Sequence, residues 1–164
     1  MTAYQLAQIN IGVPRGPVDG PLLADFVAAL DPINRLADES PGFVWRLQTP
    51  EGNATALVWP ADERIIINMS VWESVESLSD FVYRSAHTDV MRQRRKWFEQ
   101  MSVYMALWWV PEGHIPTVAE ADERIRHLTD HGPTAFAFTF RRPFPPPGAR
   151  RDIIPRDEDR CPGP

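Results

Sequence analysis

A single cysteine, Cys161, stands among the 164 residues. One chain can close no disulfide on itself and can build no cysteine-based zinc site. No apolar run approaches the roughly 18 residues that a membrane helix needs. The opening MTAYQLAQINIGVP has neither the basic start nor the apolar block of a signal peptide, so a cytoplasmic protein is expected. Basic residues are in deficit: 17 Lys and Arg face 22 Asp and Glu, for a net charge of -5 and a pI near 5.3. A general nucleic-acid binder is usually basic, so no nucleic-acid partner is expected. There is no Gly-rich phosphate loop, no G-x-S-x-G elbow and no H-E-x-x-H.

What remains is enough for one core. Apolar residues make up 43% of the chain, and this length suits a single domain with an arm. Residues 3–11 alternate as a strand, with Leu6, Gln8 and Asn10 on one face and Ala7, Ile9 and Ile11 on the other. Residues 22–37 carry apolar side chains at helical spacing, and Pro32 predicts a kink or break there. FVWRL at 43–47 and the stretch 56–59 are short strands. In 64–72, Ile65, Ile67, Met69 and Val71 oppose Ile66, Asn68, Ser70 and Trp72. Ser74 can cap a long helix over 75–100. Residues 103–110 form a strand rich in β-formers. Thr117, with Glu120 placed for a capping box, starts a helix that stops at Gly132-Pro133. Residues 135–141 alternate as a final strand.

That order predicts an α+β fold of the ferredoxin-like, split βαβ kind, with an extra C-terminal helix and strand over residues 1–142. Two helices would cover one face of an antiparallel sheet. The opposite, apolar face would need a partner, which a second copy supplies in a homodimeric barrel. Residues 143–164 hold seven of the 17 prolines. Such a segment forms no core element and reads as an extended C-terminal arm.

The segments LAQINI, DFVAALDPIN, FVWRLQ, NMSVWESVESLSDFVYRSAH, KWFEQM, LWWVPEGHIPTVAEA and AFTFRRPF resemble a bacterial family of unknown function in the dimeric α/β-barrel superfamily. The resemblance spans residues 3–147. That superfamily includes antibiotic-biosynthesis and haem-degrading monooxygenases, in which a similar strand end precedes a helix whose histidine faces a pocket. The stretch from Tyr83 to His87, with Arg94 to Glu99, is also similar to part of spheroidene monooxygenase, a haem-dependent oxygenase. The resemblance implies a monooxygenase-like protein. It puts His87 in the place of an iron ligand.

The candidate site lies on the long helix. Tyr83, His87 and Met91 form an i, i+4 row, and Val90, Arg94 and Phe98 lie beside it. An imidazole in apolar walls suits haem iron, and Arg94 or Arg95 suits a propionate. With no cofactor, the aromatics would enclose a flat hydrophobic or aromatic ligand, and His87, Tyr83, Tyr104 and Asn68 would orient or deprotonate it. A third reading makes His87 structural, bonded to a backbone carbonyl at a helix–sheet contact. A fourth is a non-catalytic binding protein of the same fold. His127 and His131 have the spacing of a metal pair, but they sit at a helix end, where histidines commonly cap carbonyls.

Overall fold

The computed structural model describes residues 3–50, 57–85 and 87–149. The elements are β1 (Tyr4–Gly12), α1 (Ala24–Asp38), β2 (Phe43–Arg46), β3 (Ile66–Trp72), α2 (Val75–Arg84), α3 (His87–Trp97), β4 (Met105–Pro111) and α4 (Val118–His131), with a turn of 3-10 helix at Pro21–Leu23. The sheet order is β2-β3-β1-β4, and every neighbouring pair is antiparallel. This is the expected α+β, ferredoxin-like arrangement.

Several boundaries differ from expectation for local reasons. α1 runs through Pro32 without a break. A proline deletes one helical N–H, and here the flanking turns hold the helix together. The long helix divides at Ser85. The Ser85 hydroxyl donates back to the Phe81 carbonyl and accepts the His87 backbone N–H at 3.2 Å, so it ends one helix and starts the next. α3 then stops at Trp97 rather than at 100. Its last carbonyls are taken by the loop after β1: Arg15 N–H donates to the Trp97 carbonyl at 2.7 Å, and Arg15 Nε to the Arg95 and Phe98 carbonyls at 3.0 Å each. Ser74 caps α2 as expected, with Ser77 returning the bond to the Ser74 N–H at 3.2 Å. Thr117 caps α4, but the Glu120 carboxylate does not close the box. It accepts from Trp108 Nε1 at 2.9 Å and pairs with His114 at 2.9 Å.

The expected final strand over 135–141 is reduced to isolated bridges, Leu107 with Phe138 and Thr139 with Arg142. Leu107 and Phe138 exchange two backbone bonds at 2.9 and 2.8 Å, and no longer ladder forms. Trp59 likewise makes only a bridge to Asp62, and residues 51–56 lie outside the described residues. The arm begins docked: the Phe144 carbonyl accepts from Trp109 Nε1 at 2.8 Å. From residue 150 onward, with Cys161, it lies outside the described residues.

The two faces of the sheet are covered differently. Ala7, Ile9, Ile67, Met69, Val71, Ala106 and Trp108 are buried against Ala121, Ile125 and Leu128 of α4. The chain closes its own apolar face, so that face does not call for a second copy. Among the described residues, no helix is long and apolar enough to cross a membrane.

The other face carries α1, α2 and α3. In its middle, Gln8 lies opposite Ser70 and Asn10 opposite Asn68. The apolar stripe of α1 (Phe26, Ala29, Leu30, Ile33) is only half-buried, and Ala37 is the one fully buried residue of that helix. An amphipathic helix normally seats its stripe in the core. Here the stripe stands off a polar strip of sheet and leaves a gap.

Candidate functional site

That gap is a cleft open to solvent. A second lobe continues from it toward Trp72, Phe81 and Tyr83. The two lobes share Asn10, Ile33, Asn34, Asn68, His87 and Met91. Apolar walls with a few placed polar groups are the usual make-up of a small-molecule site.

The floor is a polar network. Gln8 Nε2 donates to Asn68 Oδ1 at 2.7 Å and to Ser70 Oγ at 3.0 Å, and Trp72 Nε1 donates to the same hydroxyl at 2.9 Å. Gln8, Ser70 and Trp72 are buried, while Asn68 stays exposed to the cleft. Fixed partners orient these amides, so the floor has little freedom to reorganise.

His87 stands at the junction of the lobes. Its ring lies 4.9 Å from that of Phe81, which stacks in turn on Trp72 at 5.1 Å. Nδ1 is buried and has no hydrogen-bond partner among the described residues. Burial pushes the imidazole pKa down, and the nearby Val82 carbonyl offsets part of the fall. That carbonyl also accepts Thr88 Oγ1 at 3.1 Å. A lowered pKa keeps the ring neutral and able to accept a proton near pH 7.

Arg94 lies two turns further along α3. Nη1 donates to Asn10 Oδ1 at 3.0 Å and Nη2 to the Ile11 carbonyl at 2.5 Å. The guanidinium covers the Tyr104 ring at 4.6 Å and the Phe98 ring at 5.2 Å. Burial pushes its pKa down, with Tyr104 acting the other way. It stays charged at any ordinary pH. No carboxylate among the described residues pairs with it.

The structure brings His87, Met91, Arg94, Phe98 and Asn68 together on the first lobe. Tyr83 joins only at the second lobe, mostly exposed, with its ring against Phe140 at 5.5 Å. Arg95 is not part of the site, because its side chain is exposed on the far side of α3. The break at Ser85 turns α3 relative to α2, which is why one helical wheel over both misplaces Tyr83. His127 donates to or accepts from Thr134 Oγ1 at 2.7 Å and stacks on His131 and Phe136, each at 4.8 Å. Gln8, Asn10 and Ser70 were not singled out from the sequence. Their signal was available: polar residues on the strand face that the helices were to cover.

A family match covers most of this architecture, from residue 5 to residue 153. The chain belongs to the family DUF3291, a domain of unknown function. The match reaches past the expected boundary at 142 and takes in the docked start of the arm. No curated protein matches the sequence. Among solved structures, the chain is similar to SnoaB, a cofactor-independent oxygenase from Streptomyces nogalater, with 14% identity, 70% of this chain and 100% of that one covered, and a TM-score of 0.45. It is also similar to the NE2512 protein of unknown function from Nitrosomonas europaea, with 13% identity, 71% and 97% coverage, and a TM-score of 0.43.

Proposed function

We propose that the cleft binds a flat, largely apolar small molecule and that His87 removes a proton from it, without a cofactor. The observation that carries this reading is the place of His87, which lines both lobes where they meet and whose pKa burial lowers. The half-buried stripe of α1 supports the same reading: Phe26 packs on Trp97 and Phe98, and Ala29, Leu30 and Ile33 continue the apolar wall of the cleft.

With an electron-rich phenol as substrate, the anion left by proton removal is the species that dioxygen oxidises. For a dihydroxynaphthalene the balance is simple. One oxygen atom becomes a ring carbonyl, the other leaves as water, and a phenolic oxygen becomes the second carbonyl of the quinone. His87 takes the first proton, and the Gln8–Asn68–Ser70 floor holds the ring system in place.

Haem fits these residues poorly. A ligating imidazole normally donates its second N–H to a firm acceptor, and Nδ1 of His87 has no close hydrogen-bond partner among the described residues. Of the two arginines expected near propionates, Arg95 faces solvent. A homodimer belongs to the proposal only through the exposed edge strand β2, where Val44 faces solvent. Light scattering at about twice the 18.7 kDa chain mass would support it.

The test is oxygen uptake with a dihydroxynaphthalene, run on wild type and on His87→Gln. Uptake above the uncatalysed rate that falls at least tenfold in the variant supports the base. Binding without oxygen uptake leaves a non-catalytic binding protein. A sharp Soret band on adding stoichiometric haem, abolished by His87→Gln, overturns the cofactor-free reading.

A further inference from the structure

Arg94 is a cation that no carboxylate among the described residues neutralises. Its guanidinium lies over the Phe98 and Tyr104 rings, half-buried on the wall of the cleft. The groups that meet it are an amide oxygen, a backbone carbonyl and two aromatic faces, all uncharged. The other arginine of the cleft differs. Arg46, in the second lobe, pairs with Asp38 at 2.7 Å. A charge taken partly out of water is costly unless an opposite charge or a full set of hydrogen bonds receives it. Asn10 and Ile11 take one N–H from each terminal nitrogen, which leaves the remaining donors of the fork for something else.

We infer that Arg94 is the anion subsite of the cleft and that the ligand is a flat aromatic carboxylate. The inference rests on the small-molecule reading of the cleft given above. A guanidinium fork matches a carboxylate in shape and charge. The stacking of Arg94 on Tyr104 and Phe98, with the contacts to Asn10 and Ile11, fixes its plane before any ligand arrives. The spacing also sets a length. His87 and Arg94 are seven residues apart on one helix, which places them about 10 Å apart along its axis. A ligand whose carboxylate meets Arg94 presents its far end to His87, and a fused two-ring aromatic spans that distance. The acidic group that is anchored and the group that loses a proton are then at opposite ends of one molecule. A phosphate ester would bring up to two negative charges to a wall that offers a single guanidinium, so the carboxylate is the better match.

The experiment compares naphthoate with naphthamide, which have the same shape and differ in charge. Binding is followed by quenching of tryptophan fluorescence, since Trp97 lines the first lobe. Naphthoate should bind wild type at least tenfold more tightly than naphthamide. Arg94→Met should abolish that preference by weakening naphthoate alone, and Arg94→Lys should keep part of it. Because Arg94 also ties α3 to β1, the methionine variant could fail to fold. The wild-type protein then decides: the Arg94 side-chain N–H resonance should shift on adding naphthoate and stay in place on adding naphthamide. Equal binding of the two probes overturns the carboxylate assignment and leaves the cleft as an aromatic site. A preference that survives in Arg94→Met, or tighter binding of naphthyl phosphate, also overturns it. If neither naphthalene binds, the small-molecule reading falls and takes this inference with it.

Discussion

Arg94 and Asn10 lie 84 positions apart, and Nη1 of the arginine donates to Oδ1 of the asparagine at 3.0 Å. The contact joins the third helix to the centre of the sheet and fixes the distance between the wall of the cleft and its floor. A hydrogen bond to a charged group contributes more than a neutral one. Asn10→Ala should cost about 2 kcal/mol of stability, because it leaves the guanidinium short of an acceptor. Urea unfolding of the single and double variants at 10 and 94 measures the coupling. A double-mutant energy equal to the sum of the two singles would show that the bond contributes nothing.

His87 predicts a pH dependence with a definite sign. Its folded pKa is lowered by burial from the ordinary 6.5. Between that lowered value and 6.5, the unfolded chain holds more protons than the folded one, so stability falls as pH drops through this window. Above 6.5 the group contributes no slope. His87→Phe should flatten this part of the curve. The same neutral form is the base, so oxygen uptake should fall in acid with an apparent pKa below 6.5. Thermal melts and initial rates across pH 4–8 check both.

Gly12 lets Phe98 close the end of the cleft. A β-carbon there would stand 2.7 Å from Phe98 Cδ1. Gly12→Ala should cost about 1–3 kcal/mol through overpacking. It should also disturb the ring that flanks Arg94, and naphthoate affinity should fall with it. A melting temperature within a degree of wild type would show that Phe98 moves freely.

The fourth helix replaces the second copy expected on the apolar face. Ile125→Ala should destabilise the chain by about 2–5 kcal/mol, the usual range for a truncated core side chain. Ending the chain before residue 117 should expose Ile9, Ile67, Met69 and Trp108 together. Patches of that kind drive association. Light scattering of the shortened chain should show dimers or larger species, whatever the state of the full one. A shortened chain that stays monomeric and folded would remove α4 from the core.

Alternation and helical spacing were sufficient to place the four strands of the sheet, α4 and the α+β class, because each strand has one face that must avoid water; the strands expected at 56–59 and 135–141 are isolated bridges. They placed His87, Met91, Arg94 and Phe98 on a common wall for the same reason. The spacing did not separate Arg94 from Arg95 with respect to a ligand. Only the direction of α3 against β1 does that, and it is set by the break at Ser85 and by the carbonyls that Arg15 ties down. Nor could local pattern show which layer covers which face. Ile9 and Trp108 call for an apolar cover, and a second chain or α4 would satisfy them equally at the level of sequence. Long-range packing chose α4. The polar strip of Gln8, Asn10, Asn68 and Ser70 was written in the strands as a departure from hydrophobic alternation. Its meaning as a cleft floor emerged only when β1 and β3 paired in register and α1 stood clear of them.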